Sequence, residues 1–265
     1  MIKVNKVIKE NKRVYNQLFA IGSDAKTIKG ETENVMTGIL YLSPYKKSGK
    51  NFCSHATPGC IIGCLDTAGR GQMNCIQEAR LRKSLYFINN KTNFMLDLIE
   101  SIIRLKKKAH NKGFTPVVRL NGTSDLLWEN IKLNTTDVFS RKYIRDNMGY
   151  LSLHKLYKVN KSFNMMELFN DTTFYDYTKN PFRTTPSNYY LTFSRAESND
   201  NNVQIAIERG LNVAVVFETL PKKYLGRKVI NGDKTDLRFT DPKNIIVGLI
   251  PKGKAKNDTT GFVVR

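Results

Sequence analysis

The sequence has no apolar run approaching the roughly 18 residues that a membrane helix needs, so no helical membrane span is expected. Its basic N-terminus, MIKVNKVIKENKRVYNQL, lacks the apolar core and small-residue cleavage site of a secretory signal, which places the protein in the cytoplasm as an expectation. No repeat of constant period and no low-complexity segment is present. Cysteine is scarce, four in 265 residues. In a reducing compartment those four argue for metal binding or redox chemistry rather than for disulfides. Acid is scarce too: 23 Asp and Glu stand against 43 Lys and Arg, a formal net charge of +20.

That imbalance points to a polyanionic partner, nucleic acid above others and DNA more than RNA. A lysine-rich codon bias is the plainer reading. The cations are spread along the chain (Lys46, Lys47, Lys50; Lys106, Lys107, Lys108; Lys252, Lys254, Lys256), which suits a broad phosphate-tracking face better than a tail. The remaining composition, 40% apolar and 25% charged, is that of a globular protein with one sizeable core.

Residues 1–35 read as an N-terminal arm, with a short helix around Val14–Ile21. Residues 36–265 read as one domain. Apolar, β-prone strands are expected at 38–43, 115–125, 173–181, 189–198, 211–218 and 245–251, with a last short strand in the tail. Helices are expected from Gln77 to Asn89, over 92–111 with Gly113 as its stop, and from a cap at Asn199 or Asp200 to Gly210. Residues 130–170 read as an insertion, helical at Met165–Phe169, and 226–242 as a hairpin or lid turning at Asn231-Gly232-Asp233. Strands alternating with helices imply an α/β fold with a mainly parallel sheet. About six such strands suggest a partial or small (β/α) TIM-like barrel, with a flat doubly wound sheet as the alternative.

In parallel α/β folds the chemistry gathers at the C-terminal ends of the strands. Here those ends carry Asn121, Gly122, Thr123, Ser124 and Asp125; Asp176 and Lys179; Ser194, Arg195 and Glu197; and Glu218. Each has a plainer role. Asp125 and Glu218 suit caps, Arg195 a surface ion pair, and Lys179 a solvated loop. Asp176, between aromatics on an apolar strand, needs a partner if buried. Arg70, Arg80, Arg119 and Arg195 are candidates for holding phosphate.

All four cysteines lie in one stretch, CSHATPGCIIGCLDTAGRGQMNCIQEARLR, at 53, 60, 64 and 75. Thiolates select iron–sulfur clusters, zinc or copper(I). Cys53, Cys60 and Cys64 follow C-x6-C-x3-C, and three thiolates on one loop can hold three irons of a four-iron cluster with one iron open. Adding Cys75 would close the cage, as structural zinc prefers. His55 is an alternative fourth ligand. The spacing lacks the C-x2-C pair usual for zinc. Burial as small apolar side chains is the plainer role for the four. The AGRGQ segment (68–72) ahead of a helix offers amides for a phosphate or carboxylate.

The ordered set CSHATPGCIIGCLDTAGRG, VVRLNGTSDLLWE, FYDYTKNP, YYLTFSRAES and VINGDKTDLRFTDP with IVGLIPKGKAKNDTTGF resembles the bacteriophage gene-product-eighty-eight family over roughly residues 36–264. The resemblance implies a phage protein working in the infected host cell. The layout is also similar, at a distance, to radical S-adenosylmethionine enzymes, which place three cysteines on the loop after the first strand of a partial barrel. That likeness implies Cys53, Cys60 and Cys64 as cluster ligands and Asn121-Gly122-Thr123 beside S-adenosylmethionine, although that superfamily usually carries C-x3-C-x2-C. A second distant likeness, to phage 7-deazaguanine DNA transglycosylases, implies Asp125 and Asp176 as nucleophile and base with a zinc site. The leading expectation is a metal-site enzyme, iron–sulfur before zinc, that modifies a nucleic-acid base or nucleotide. Asp125, Asp176 and Lys179 would handle protons, with Ser194 and Glu218 near the cofactor. A non-catalytic DNA-binding or host-interaction protein with structural zinc is the alternative.

Overall fold

The computed structural model describes residues 18–22, 30, 32–152 and 161–265. Its strands are β1 (Phe19–Ala20), β2 (Val35–Leu40), β3 (Thr115–Arg119), β4 (Leu133–Asn134), β5 (Ser162–Phe163), β6 (Thr173–Thr178), β7 (Tyr189–Ser194), β8 (Asn212–Phe217), β9 (Lys223–Tyr224), β10 (Arg227–Asn231), β11 (Ile246–Leu249) and β12 (Val263–Val264). The six strands expected from apolar runs are β2, β3, β6, β7, β8 and β11. They lie side by side in chain order and pair in parallel throughout. Strands covered on both faces need apolar residues at successive positions. Val213, Ala214 and Val215 of β8 are all buried, as that requires.

β10 extends the parallel set beyond β11, and β1 and β9 add antiparallel strands at the two edges. The edge strands do not pair with each other, so among the described residues the sheet is open. The fold is mixed α/β with a mostly parallel central sheet. β12 pairs with the C-terminal end of β8, beyond the point where β7 stops.

Four helices pack with this sheet: α1 (Pro58–Ile62), α2 (Asn74–Asn89), α3 (Lys91–Asn111) and α4 (Asp200–Glu208). None is long and apolar enough to cross a membrane. α3 buries Phe94, Met95, Leu98, Ile99, Ile102 and Leu105, recurring at helical spacing. Full burial of each such side chain stabilises the fold by about 1.5–3 kcal/mol. Gly113 (φ +69°) and Gly210 (φ +77°) take the left-handed conformation just past α3 and α4, where a side chain would be strained.

Two expectations are corrected. Phe19–Ala20 of the N-terminal arm forms an edge strand on β2, not a helix, because Leu18 and Phe19 find apolar cover in the main core. Residues 14–17 of that expected helix lie outside the described residues. The hairpin in the 220s turns at Leu225-Gly226; the chain also turns at Gly232-Asp233, but there it leaves β10 and joins no antiparallel partner. Both Leu225 (φ +50°) and Gly226 (φ +73°) have the positive φ that a two-residue type I′ turn demands. Asn231 instead ends β10 inside the parallel sheet.

The insertion folds as a small β4–β5 pair with helical turns at Thr135–Val138, Lys142–Arg145 and Met165–Leu168. Residues 153–160 lie outside the described residues. Arg141 anchors it to α3, donating to Asp97 at 3.0 Å and Glu100 at 3.4 Å. This explains two carboxylates on the buried face of an apolar helix.

Gly38 of β2 is hemmed in by β1 on one side and α3 on the other. A Cβ there would lie 2.8 Å from Phe19 Cδ2 and 2.9 Å from Leu105 Cδ2. Gly38→Ala is therefore expected to destabilise the fold by about 1–3 kcal/mol, read as a lower urea midpoint at unchanged slope.

Candidate functional site

Parallel pairing puts the C-terminal ends of seven strands at one edge. A cavity of about 300 Å³ opens there. Its walls come from the cysteine loop (Cys53, Cys60, Cys64), the turn after β3 (Arg119, Asn121, Gly122, Thr123, Ser124, Asp125), the ends of β6 and β7 (Lys179, Ser194), the loop after β10 (Asp233, Asp236) and the segment after β11 (Lys252, Phe262).

The cysteine loop is fixed at both ends by carboxylates. Thr57 caps α1, accepting from Cys60 N at 3.3 Å. Its hydroxyl donates to Glu197 Oε2 at 2.7 Å, and Gly59 N donates to Glu197 Oε1 at 2.7 Å. Glu197, from the loop after β7, thus satisfies an amide that the helix start leaves without a partner. A Cβ on Gly59 would fall 2.2 Å from Thr260 Oγ1, so the helix can seat only as glycine. Further along, buried Asp66 accepts from Lys47 and Arg80, while Gln77 Nε2 donates to Asp66 O at 2.9 Å. Burial alone would raise the Asp66 pKa. Hydrogen bonds from Lys47, Gln77 and Arg80 outweigh it and hold the carboxyl below its ordinary value.

Cys53, Cys60 and Cys64 are partly buried, and all four thiols are free of disulfides. Cys53 Sγ accepts from Tyr45 N at 3.4 Å and lies 3.8 Å from Thr123 O. Burial, with Cys64 and Cys60 adding to it, pushes the Cys53 thiol up to about 12. Burial also raises Cys64. Among the described residues no three His, Cys, Asp or Glu side chains are set to hold a single metal ion. Cys75 and His55 are exposed and outside the cavity wall.

The turn after β3 is rigid. Asn121 Oδ1 accepts from Ser124 Oγ (2.9 Å), Leu126 N (2.9 Å) and Trp128 Nε1 (3.0 Å), and its Nδ2 donates to Leu126 O (3.0 Å). The Asn121 amide shapes the wall, its oxygen held by three donors. Gly122 packs against Ile39 and Tyr41, where a Cβ would lie 2.8 Å and 2.6 Å from their carbons. Thr123 Oγ1 donates to Leu42 O at 2.6 Å.

The polar part of the wall holds Asp125, Lys179 and Ser194. Lys179 N donates to Asp125 Oδ2 (2.8 Å), and Lys179 Nζ donates to Ser194 Oγ (2.9 Å). Arg183 reaches Asp125 Oδ1 at 3.3 Å while forking onto Glu129 at 2.9 and 2.7 Å. Arg119 donates to Asp236 Oδ2 at 2.7 Å.

Asp176 lies behind the cavity, fully buried. It accepts from Asn121 N (2.8 Å), Leu120 N (3.3 Å) and Tyr189 Oη (2.7 Å). Burial pushes its pKa up to about 6, against the lowering by Arg119, Tyr189 and Asn121.

The structure therefore gathers Cys53, Cys60, Cys64, Arg119, Asn121, Gly122, Thr123, Ser124, Asp125, Lys179 and Ser194 around one space. The other candidates stand elsewhere. Arg80 is buried in its pair with Asp66 and lies over the Tyr41 ring at 5.0 Å. Arg195 donates to Gly261 O (2.5 Å) and Phe262 O (3.3 Å), tying down the C-terminal segment. Glu218 is exposed beside Arg265 at 3.5 Å. Arg70 is exposed off the wall. Sequence reasoning missed the Arg183–Glu129 fork and the Arg119–Asp236 pair, because no spacing rule links partners 54 and 117 residues apart.

A protein-family model described as gene product 88 matches residues 14–265. The chain belongs to the bacteriophage gene product 88 family. No curated protein and no solved structure matches it. The match spans every strand above and all four cysteines of this family member, so cysteine loop and strand-end wall fall within one family unit.

Two outcomes follow from this geometry. Cys75 is exposed while the other thiols are partly buried, so iodoacetamide is expected to label Cys75 first in metal-free protein, as read by peptide mass spectrometry. For Asp176 the folded pKa lies above its unfolded value of ~3.9. The folded state therefore binds the extra proton between about pH 4 and 6. This carboxyl's contribution to stability is greatest below that window and falls by about 3 kcal/mol as pH rises through it. Urea titrations of the wild type against Asp176→Asn should show the wild type losing ground to the variant from pH 4 to 6 and no further change above.

Proposed function

We propose that the cavity is the active site of an iron–sulfur enzyme that modifies a nucleic-acid base or nucleotide, built on a partial barrel. The observation that carries this reading is the convergence of three thiols from one loop with the polar ends of β3, β6 and β7 on a single space. Consecutive parallel strands β2, β3, β6, β7 and β8, laid down in chain order, support the partial-barrel description.

The donor set fits a cluster better than a single ion. A zinc ion needs four donors within ~2.3 Å of one point, and among the described residues no three candidate donors are so grouped. A four-iron cluster takes each thiolate on a different iron, which suits three sulfurs facing a cavity from separate positions. Cys53, Cys60 and Cys64 would hold it. Bound there, it would supply one-electron chemistry at an iron left free of protein ligand. Loading requires deprotonation of the thiols, of which burial keeps Cys53 and Cys64 protonated, so it releases protons.

The chain's own residues then have distinct tasks. Gly122 and Thr123 wall the space beside Cys53, where a cofactor such as S-adenosylmethionine would lie. Lys179 and Ser194 form a hydrogen-bonded pair able to carry a proton at Ser194 Oγ. Asp125, held by Arg183 and Lys179 N, is placed to orient a donor group. Arg119, paired with Asp236 and beside Asp176, braces the wall between β3 and the loop after β10. Asp176 positions the β3 turn from below, which removes it from the nucleophile-and-base pair of the transglycosylase-like reading.

Protein purified without oxygen is expected to be brown, with iron and acid-labile sulfide in equal amounts. Cys60→Ser and Cys64→Ser should lose both, and Cys75→Ser should keep both. A colourless protein with stoichiometric zinc would overturn this reading.

A further inference from the structure

The loops that follow the seven parallel strands share the surface around the cavity mouth. The carboxylates on the cavity wall and its braces are engaged in ion pairs or hydrogen bonds: Asp66 by Lys47 and Arg80, Asp125 by Arg183, Glu197 by Thr57 and Gly59, Asp233 by Lys252, and Asp236 by Arg119. The lysines are not matched in turn. Lys50, Lys234, Lys254 and Lys256 are exposed, and among the described residues their side chains have no ion-pair or hydrogen-bond partner. They come from three loops, after β2, β10 and β11. The mouth is therefore ringed by unneutralised positive charge over more than one loop's width, which a single small anion cannot satisfy.

Apolar side chains stand on the same rim. Phe182 is 62% exposed, next to Arg183, whose guanidinium reaches the cavity wall at Asp125. Ile62 and Leu65 of the cysteine loop are exposed as well. A polyanion that also offers flat apolar faces satisfies both features, and that description fits unpaired nucleotides. A duplex keeps its base faces stacked inside, and a base in a duplex cannot reach a walled cavity without leaving the stack.

We infer that single-stranded nucleic acid docks across this rim, its phosphates on Lys50, Lys234, Lys254 and Lys256, one base on Phe182, and the neighbouring nucleotide in the cavity. The inference rests on the base-modification reading above and names the form of its substrate. Aromatic stacking beside a lysine track is the usual way to hold unpaired strands without reading their sequence.

The test is fluorescence anisotropy of a labelled oligothymidylate, alone and annealed to its complement, over a salt series. Lys254→Glu/Lys256→Glu is compared with Lys108→Glu/Lys243→Glu, which makes the same charge change at the opposite edge of the sheet. The rim pair should weaken single-strand binding at least about tenfold and lower the salt slope by about 1 per lysine. The opposite-edge pair should change it no more than about twofold. Phe182→Ala should weaken single-strand binding about tenfold and leave duplex binding unchanged. Equal effects from both charge pairs, equal affinity for duplex and single strand, or equal displacement by polyglutamate would each overturn the inference. Iron content measured on the same preparations separates the two proposals. Iron-loaded protein that ignores the oligonucleotide defeats this one alone, and iron-free protein with rim-dependent binding defeats only the cluster.

Discussion

One buried carboxylate decides where β3 leaves the sheet. Beyond Arg119 the strand loses its neighbour in β6, and the amides of Leu120 and Asn121 would be buried without acceptors. A buried unpaired N–H costs about 1–3 kcal/mol. Asp176, on the adjacent strand, accepts from both, and Tyr189 on the next strand completes its shell. Burial of the carboxylate is unfavourable, yet three donors and the Arg119 guanidinium at 3.8 Å surround it. The turn that walls the cavity starts from this point, so the floor of the site is electrostatic while the core beneath it is apolar.

The same solution recurs around the cysteine loop. A loop rich in glycine and polar residues has little apolar surface to hold it. Two carboxylates do so instead: Asp66 gathers Lys47 and Arg80, and Glu197 gathers Thr57 and the Gly59 amide. The thiols between them are left free of such ties, apart from the contacts of Cys53. Structural carboxylates are matched one by one, and the thiols, Lys179 and Ser194 face open space.

Much of this was legible in the sequence. Apolar runs marked all six central strands, because strands covered on both faces cannot hide a polar pattern. Glycines past α3 and α4 marked their ends, because the left-handed position they occupy excludes other residues at little cost. The clustering of Cys53, Cys60 and Cys64 with the polar strand ends was legible from one rule, that parallel strands share an edge. The partners were not. Asp176 and Asp125 read alike in sequence, as acids near strand ends. Only the side of the strand and the depth in the sheet separate a buried brace from a wall residue. Arg80 read as a phosphate ligand because its partner Asp66, 14 residues away, obeys no helical or strand spacing. β10 was hidden because its half-exposed residues alternate weakly and its turn uses Leu225, a residue type that does not announce positive φ.

The place of β12 has a consequence for biosynthesis. It fills the pairing edge of β8 that β7 vacates, and Arg195 clasps the residues just before it. The cavity's last wall, Lys252 to Phe262, is thus made nearly 200 residues after the cysteine loop. Contacts of such sequence separation form late and slowly. While the chain is emerging, the loop has only its Asp66 brace, since Glu197 arrives long after the thiols. The wall that the final segment supplies is thus the last part of the cavity to be completed.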